Sequence, residues 1–167
     1  MLVLGVDPGL ATTGWALVDQ ERGKLRLLGA GCWRTPAEAD HGTRLLQLWE
    51  ALGGMLQSSG PSSVAMERLF FSRNTSTAMA VSQARGVLVC AVAKARLPLH
   101  EYTPAEVKQS VTGSGSAGKL QVARMVRMIL GAAVPVGPDD VTDACAVGIC
   151  HQHASGLRGA VVGASRR

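Results

Sequence analysis

The sequence lacks any hydrophobic run long enough to cross a membrane. No apolar stretch reaches the ~18 residues that a membrane-spanning helix needs, although 47% of the residues are hydrophobic. The N-terminal residues also lack the basic region that begins a signal peptide. These absences argue against a membrane protein and against a secreted protein, and we expect a protein of the cytoplasm.

Cysteines and aromatic residues are scarce. The cysteines lie at irregular spacings among apolar neighbours, which predicts reduced, mostly buried thiols and not a disulfide framework. They are Cys32, Cys90, Cys145 and Cys150.

Both phenylalanines of the chain, Phe70 and Phe71, fall in one short segment. This segment is therefore a candidate functional loop.

Acidic residues are too few to balance the basic ones in the second half of the chain. Residues 1–83 contain seven Lys and Arg and seven Asp and Glu, whereas residues 84–167 contain ten and five. The net charge of +5 thus comes from the second half. A basic half favours a polyanionic partner such as nucleic acid, although a modest excess also serves solubility alone.

The first apolar stretch ends in a single carboxylate. Residues 2–6 predict a central strand buried on both faces, and Pro8 and Gly9 end it directly after Asp7. An Asp before Pro-Gly is also an ordinary turn residue, so this stretch alone leaves both interpretations open. A polar turn at 12–14 and a returning strand follow. RNase H-like nucleases and actin-like ATPases both begin in this way, but 167 residues leave no room for the two lobes of an actin-like ATPase.

The apolar periodicity predicts the remaining elements of a single domain over residues 1–167, with a candidate flexible tail after about residue 156. We predict strands at 25–33, 63–66 and 97–102, and helices from about Gly42, at 77–95, after Thr103, at 116–130 and from about Pro138. The helix at 77–95 is apolar almost all round, which favours burial against a partner subunit or within one chain. In the helix at 116–130 we expect these residues to face inward: Leu120, Ala123, Val126 and Leu130. The predicted fold class is α/β, with an RNase H-like mixed five-stranded sheet flanked by helices.

A second carboxylate ends the buried strand at 63–66. Glu67 follows this strand as Asp7 follows the first, so two inner strands each deliver an acid. The loop that follows contains Phe70, Arg73 and Asn74. Exposed aromatic side chains beside arginines can stack a splayed base and hold its phosphates. We assign Phe70 to such a contact with nucleic acid and Phe71 to the core.

A Gly/Ser-rich loop lies between two lysines. Lys108 stands on the helix that begins with a capping box at Thr103, and Lys119 ends the loop at 112–119. The loop has the spacing G-x-x-x-x-G-K of a phosphate-binding loop, but Leu120 stands where a Ser or Thr would hold magnesium, and a helix precedes it. We therefore reject nucleotide binding. Contact with a nucleic-acid backbone and a plain surface linker both remain open.

Two further carboxylates share one face of the final helix. Asp140 and Asp143 stand three residues apart, where like charges repel, and a shared metal is the simplest remedy. Asp139 is interpreted as an N-terminal cap or dipole partner. With Asp7 and Glu67, the pair forms a set of oxygen ligands that selects hard cations such as magnesium or manganese. Two such ions support hydrolysis of a phosphodiester.

A zinc site near the end of the chain is the competing metal hypothesis. Its candidate ligands are Cys145, Cys150, His151 and His153. The two cysteines are five residues apart on a helix and point in different directions, which disfavours a shared zinc ion.

Several segments together resemble the RuvC family of Holliday junction resolvases, from end to end. They are residues 5–9 with 13 and 14, 67–70, 74, 83–87, 107–109, 119 and 140–144. The resemblance implies an RNase H-like fold, a homodimer, and magnesium-dependent symmetric nicking of opposed strands of a four-way DNA junction in recombination and DNA repair. It also implies two Mg²⁺ ions per active site, with Mn²⁺ as a substitute, and a branch-migration motor complex as a candidate partner.

The resemblance also assigns roles to individual residues. It implies that the catalytic, metal-holding residues are Asp7, Glu67, Asp140 and Asp143. It implies that Phe70 enters the junction and that Lys108 and Lys119 lie near the phosphates. Some relatives have His in place of Asp140, and Cys145 stands where Leu is expected; neither change threatens the site.

Two other classes remain as alternatives. One is a ribonuclease acting on RNA in hybrids, since four carboxylates in this arrangement also serve that chemistry. The other is a catalytically silent junction-binding protein, against which the presence of all four carboxylates argues.

Overall fold

The computed structural model describes residues 1–68, 75–135 and 137–164. The strands in these ranges are β1 (Leu2–Asp7), β2 (Thr12–Glu21), β3 (Lys24–Arg34), β4 (Ser63–Glu67) and β5 (Leu99–Tyr102). The helices are α1 (His41–Ser59), α2 (Thr75–Lys94), α3 (Pro104–Thr112), α4 (Lys119–Leu130) and α5 (Asp139–Ala164), with a 3₁₀ turn at Gly131–Ala133. None of the described helices is both long and apolar enough to cross a membrane.

The five described strands form one mixed sheet in the order β3-β2-β1-β4-β5. β2 is antiparallel to β1 and to β3, whereas β4 is parallel to β1 and to β5. The central strands β1 and β4 are therefore neighbours that run in the same direction, and their carboxyl ends meet at one edge. The prediction of a mixed five-stranded sheet flanked by helices is confirmed.

Alternate side chains of β1 belong to two separate cores. Leu4 and Val6 pack with α1 and α2 on one face of the sheet, and Val3 packs with α3, α4 and α5 on the other. All three side chains are fully buried. A strand covered on both faces has no place for a charge along its length, so its one acid falls at its end.

Helix α5 lies close to β1 and β2 because glycines face each other at the contact. A Cβ atom on Gly5 would lie 2.8 Å from the backbone nitrogen of Gly148, and a Cβ on Gly148 would lie 2.7 Å from Cγ2 of Val18. Both distances are shorter than real Cβ contacts, so larger residues would push the helix away. The close approach brings the start of α5 to the end of β1.

The segment at 12–14 is part of a strand and not the polar turn predicted from sequence. β2 begins at Thr12, and Gly14 pairs with Asp7 across the ladder. Thr13 is fully buried, and its hydroxyl donates to the carbonyl of Gly9 at 2.6 Å. Because this bond satisfies the hydroxyl locally, a polar residue is tolerated inside the strand.

Helix α4 begins at Lys119 and not at residue 116, because the glycines before it adopt non-helical conformations. Gly113 ends α3 in the left-handed region at φ 79°, and Gly118 is the extended N-cap residue of α4. The predicted inward orientation of Leu120 is wrong, since this side chain is 89% exposed. The face of α4 toward the core carries Val122, Val126 and Leu130.

Other predictions of local structure hold with small differences. The capping box at Thr103 is present at the start of α3. Cys145 and Cys150 are buried as predicted. Cys32 is half-buried because it lies on the edge strand β3, and Cys90 is exposed because it lies on the outer face of α2. Asp139 is the first residue of α5 and not its cap, which leaves the dipole interaction. The predicted flexible tail falls within α5, which continues as a helix to Ala164; its flexibility stays a prediction.

A candidate active site at the carboxyl ends of β1 and β4

Asp7 and Glu67 occupy matching positions at the ends of adjacent parallel strands. Val6 pairs with Met66 in the β1–β4 ladder, and each acid is the next residue of its strand. The strands are buried up to these positions, and both acids are half-buried. The sequence prediction that two inner strands deliver two carboxylates to one place is therefore met by the register of the sheet.

The first turns of α5 lie directly over this edge. Gly14 pairs with Asp7, and a Cβ atom on Gly14 would lie 3.1 Å from the Cβ of Asp140. Only a residue without a side chain leaves room for the backbone of Asp140 at this point. Asp143 follows one turn later and lines a cleft of about 280 Å³ together with Glu67, Lys108 and Lys119.

The charges at this edge strongly influence one another. The pKa of Asp7 is raised to about 8, first by burial and then by the charges of Asp143, Glu67 and Asp140 in that order. Burial also raises the pKa of Glu67, as does the charge of Asp143. Burial is the largest cause that raises the pKa of Asp143, and the charges of Asp139 and Asp140 also raise it. The four predicted carboxylates thus lie close enough for their charges to affect Asp7, and their common role in one site stays a prediction.

Two lysines stand at the rim of the cleft. The Asp143 carboxylate raises the pKa of Lys119, and Lys108 and Lys119 both lower the pKa of Glu67. Lys119 also lies 3.5 Å from a carboxylate oxygen of Asp139, with both side chains mostly exposed. The structure thus places the two predicted DNA-binding lysines beside the carboxylates, Lys119 exposed and Lys108 half-buried.

The composition of the site fits a hard divalent cation. Ionised Asp7 is costly because it is buried near three other acids, and a cation among them would offset that cost. The donors are carboxylate oxygens alone, as magnesium and manganese prefer. Over residues 1–68, 75–135 and 137–164, no group of three or more His, Cys, Asp or Glu side chains is placed so that it could hold a metal ion without rearrangement.

The residues of the alternative zinc hypothesis point toward different partners. Sγ of Cys150 lies 3.8 Å from the carbonyl oxygen of Glu106, and Nδ1 of His153 lies 3.1 Å from the hydroxyl of Ser110. Nδ1 of His151 lies 2.7 Å from the hydroxyl of Tyr102. These side chains join α5 to its neighbours.

The sequence alone did not reveal the role of Gly14 in shaping the site. Gly14 permits the contact between α5 and β2, and its only signal was its place among the segments that resemble the RuvC family. The predicted DNA contacts of the loop, Phe70, Arg73 and Asn74, lie outside the described residues. Their roles stay predictions.

Comparisons with known proteins agree with this site. A sequence profile described as "Crossover junction endodeoxyribonuclease RuvC" matches residues 3–151. The RuvC of Chloroflexus aurantiacus is 48% identical over 153 residues, covering 92% of this chain and 93% of that protein. The RuvC of Desulfitobacterium hafniense is 45% identical over 164 residues, covering 98% and 99%. The structure of Thermus thermophilus RuvC in complex with Holliday junction substrate matches with a TM-score of 0.88 at 32% identity, covering 94% of this chain and 96% of that one.

These similarities extend over nearly the whole chain, and the range matched by the profile, residues 3–151, spans both strand ends and the start of α5. The expected RNase H-like fold and the resemblance found in the sequence are both confirmed. The chain belongs to the RuvC family of crossover junction endodeoxyribonucleases.

Proposed function

We propose that this protein resolves Holliday junctions, hydrolysing one phosphodiester bond in each of two opposed strands of a four-way DNA junction during recombination and repair. The observation that carries the proposal is the meeting of two strand-end carboxylates with two α5 carboxylates in a chain of the RuvC family. Its relative from Thermus thermophilus is known in complex with a Holliday junction substrate.

The proposed cofactor is Mg²⁺, with two ions per active site and Mn²⁺ as a substitute. The ions would be held by carboxylate oxygens of Asp7, Glu67, Asp140 and Asp143. When bound, they supply stabilisation of the negative charge that develops as the phosphodiester is hydrolysed. The family is metal-dependent, and the high pKa of Asp7 supports a requirement for positive charge at this place.

The rim lysines bind and orient the DNA strand in this proposal. A cleft lined by carboxylates alone would repel a phosphate. The ammonium groups of Lys108 and Lys119 stand beside Glu67 and Asp143 and provide the opposite charge. They hold the DNA backbone where the acids can act on it. The lysines thus supply affinity, and the carboxylates supply the chemistry.

Replacing Lys108 or Lys119 with alanine is expected to weaken junction binding and to flatten its salt dependence. Each lost phosphate contact should reduce the slope of log affinity against log salt by about 0.9. Lys24→Ala is the matched control, since Lys24 is exposed in the β2–β3 hairpin at the opposite end of the sheet. Binding isotherms at several salt concentrations measure the slope; an unchanged slope in both rim variants would remove these lysines from the DNA interface.

We also propose a homodimer, because symmetric cuts in two strands require two active sites related by a twofold axis. Helix α2 offers a face for the contact. Its exposed positions recur at three- and four-residue spacing, and Met79 on this face is 66% exposed. Between residues 78 and 92, the exposed positions of α2 are Met79, Gln83, Gly86 and Cys90.

Met79→Glu is expected to weaken the dimer by about tenfold or more, because an unpaired charge would enter an apolar contact. Leu46→Glu is the control, since Leu46 on α1 is also a large exposed apolar residue, at 53% exposure. Sedimentation equilibrium of the wild type should give twice the 17.4 kDa chain mass at micromolar concentration. A wild-type monomer that still makes paired nicks would contradict the dimer.

The remaining parts of the proposal concern residues and partners beyond the cleft. Phe70 is proposed to stack within the opened junction, with Arg73 and Asn74 beside its phosphates. A branch-migration motor complex is a proposed partner, and a DNA substrate of this kind would place the protein in the cytoplasm.

A comparison of substrates tests the proposed function. Wild-type protein with Mg²⁺ should nick a synthetic four-way junction and leave a linear RNA–DNA hybrid intact. Cleavage of the hybrid but not of the junction would indicate a ribonuclease. Tight junction binding without any nicking would indicate a silent binding protein.

A further inference from the structure

Two adjacent polar residues of α5 are buried against the sheet, more than two turns away from the acidic start of the helix. His151 is 2% exposed and Gln152 is fully buried. The preceding buried residues of this helix are small or apolar, from Ala144 to Ile149. Buried polar side chains are costly unless they are hydrogen-bonded. Both residues form such bonds, and the bonds lead to strands on either side of the helix.

His151 connects α5 to β4 and β5. Its Nδ1 lies 2.7 Å from the hydroxyl of Tyr102, and its Nε2 lies 3.1 Å from the hydroxyl of Ser63. Ser63 begins β4 and Tyr102 ends β5. Tyr102 is also the ladder partner of Glu67, so the contact reaches the strand pair that presents this catalytic carboxylate.

Gln152 connects α5 to β2 and to the residue that precedes β1. Its side-chain nitrogen donates to the carbonyl oxygen of Met1 at 2.6 Å and to that of Val18 at 2.8 Å. Its Oε1 has no hydrogen-bond partner among the described residues. The two donated bonds therefore carry the connection between Gln152 and the sheet.

We propose that His151 and Gln152 are positioning residues that fix α5 along its axis and thereby hold its two acids at their working distance from the two strand-end acids. This inference rests on the proposed function. The glycine contacts set how close α5 lies to the sheet, but apolar and backbone contacts resist sliding weakly. Hydrogen bonds to strands on both sides are directional and oppose it.

The effect reaches the active site because α5 is one continuous helix from Asp139 through residue 152. A shift of the helix at the two polar residues moves Asp140 and Asp143 by a similar amount. A misplacement of ~1 Å can lower a rate by about 10²-fold even when the altered residue is far from the chemistry.

The test compares Tyr102→Phe, which removes one hydroxyl from the His151 bond, with Gln152→Met, which removes both bonds of Gln152. Ser155→Ala is the control, because the hydroxyl of Ser155 meets His151 within the same helix, at 3.2 Å, and does not connect α5 to the sheet. Tyr102→Phe and Gln152→Met are called the tether variants. We expect them to nick junctions about 10-fold more slowly or worse at saturating DNA. They should also need more Mg²⁺ for half-maximal nicking, while junction binding in a chelator stays normal.

A second readout needs no DNA and separates positioning from a general loss of stability. Mg²⁺ that binds the folded site raises the melting temperature, and weaker binding raises it less. We expect a smaller Mg²⁺-induced rise for the tether variants than for wild type and Ser155→Ala. An equal rise in all four proteins, or wild-type nicking by both tether variants, would overturn the proposal. Failure of wild-type protein to nick junctions would instead count against the proposed function, and the melting comparison would still decide the positioning role.

Discussion

Replacing any one of Asp7, Glu67, Asp140 or Asp143 with its amide is expected to lower junction nicking by about 10²- to 10³-fold or more. The amide preserves the shape of the side chain but removes a negative charge and a strong ligand for a hard cation. Binding should survive, because we propose that Lys108 and Lys119 make the phosphate contacts. Without metal it should become tighter, because one source of repulsion toward DNA is lost. Nicking in Mg²⁺ and binding in a chelator measure the two effects separately.

Asp139→Asn provides the control for these four variants. Asp139 is adjacent in sequence to Asp140, but its side chain is 79% exposed and pairs with Lys119 outside the cleft. The Asp139→Asn variant should nick nearly as well as wild type. The loss of the ion pair with Lys119 should change DNA binding only slightly. A loss at Asp139 as large as at the other positions, or near-normal nicking by any of the four, would show that the metal site is wrongly assigned.

Gly14→Ala is expected to abolish most nicking and to destabilise the fold by about 1–3 kcal/mol. A Cβ at this position would lie 2.5 Å from the carbonyl carbon of Asp140, so α5 would have to move away from β2. Because Gly14 pairs with Asp7, the movement would separate the α5 acids from the strand-end acids. Urea unfolding and a nicking assay on the same preparation measure both consequences.

Gly54→Ala serves as the matched glycine variant. Gly54 lies inside α1, and a Cβ added there meets no atom within 4 Å. Alanine at an open helical position should raise stability by roughly 0.5–1 kcal/mol, and nicking should not change. If Gly14→Ala were as well tolerated as Gly54→Ala, the close contact between α5 and β2 would not be needed for the site.

The strand-end acids could be predicted because the signal is local. An apolar run buried on both faces stops where the first charge appears, and this holds for Asp7 and for Glu67 alike. The parallel pairing of β1 and β4 then brings the two positions together. The acids of α5 were recognisable from their shared helix face, although only the fold shows that this face lies over the end of β1.

The errors occurred where long-range pairing or packing decides the structure. Gly14 belongs to β2 because it pairs with Asp7, and nothing in its immediate sequence indicates this partner. On α4, apolar residues occur on more than one side, and packing against the sheet selects Val122 and leaves Leu120 in solvent. The zinc hypothesis for His151, which the cysteine spacing already disfavoured, could be raised only because the hydrogen-bond partners of His151 on β4 and β5 are distant in sequence.

The most direct test of the central claim is to map nicks on all four strands of a synthetic four-way junction, each strand labelled in turn. Wild-type protein with Mg²⁺ should produce nicks at symmetric positions in two opposed strands, and Asp7→Asn should produce none. An absence of nicks with wild type, nicks confined to one strand, or equal nicking by Asp7→Asn would contradict the assignment of these carboxylates to a junction-resolving active site.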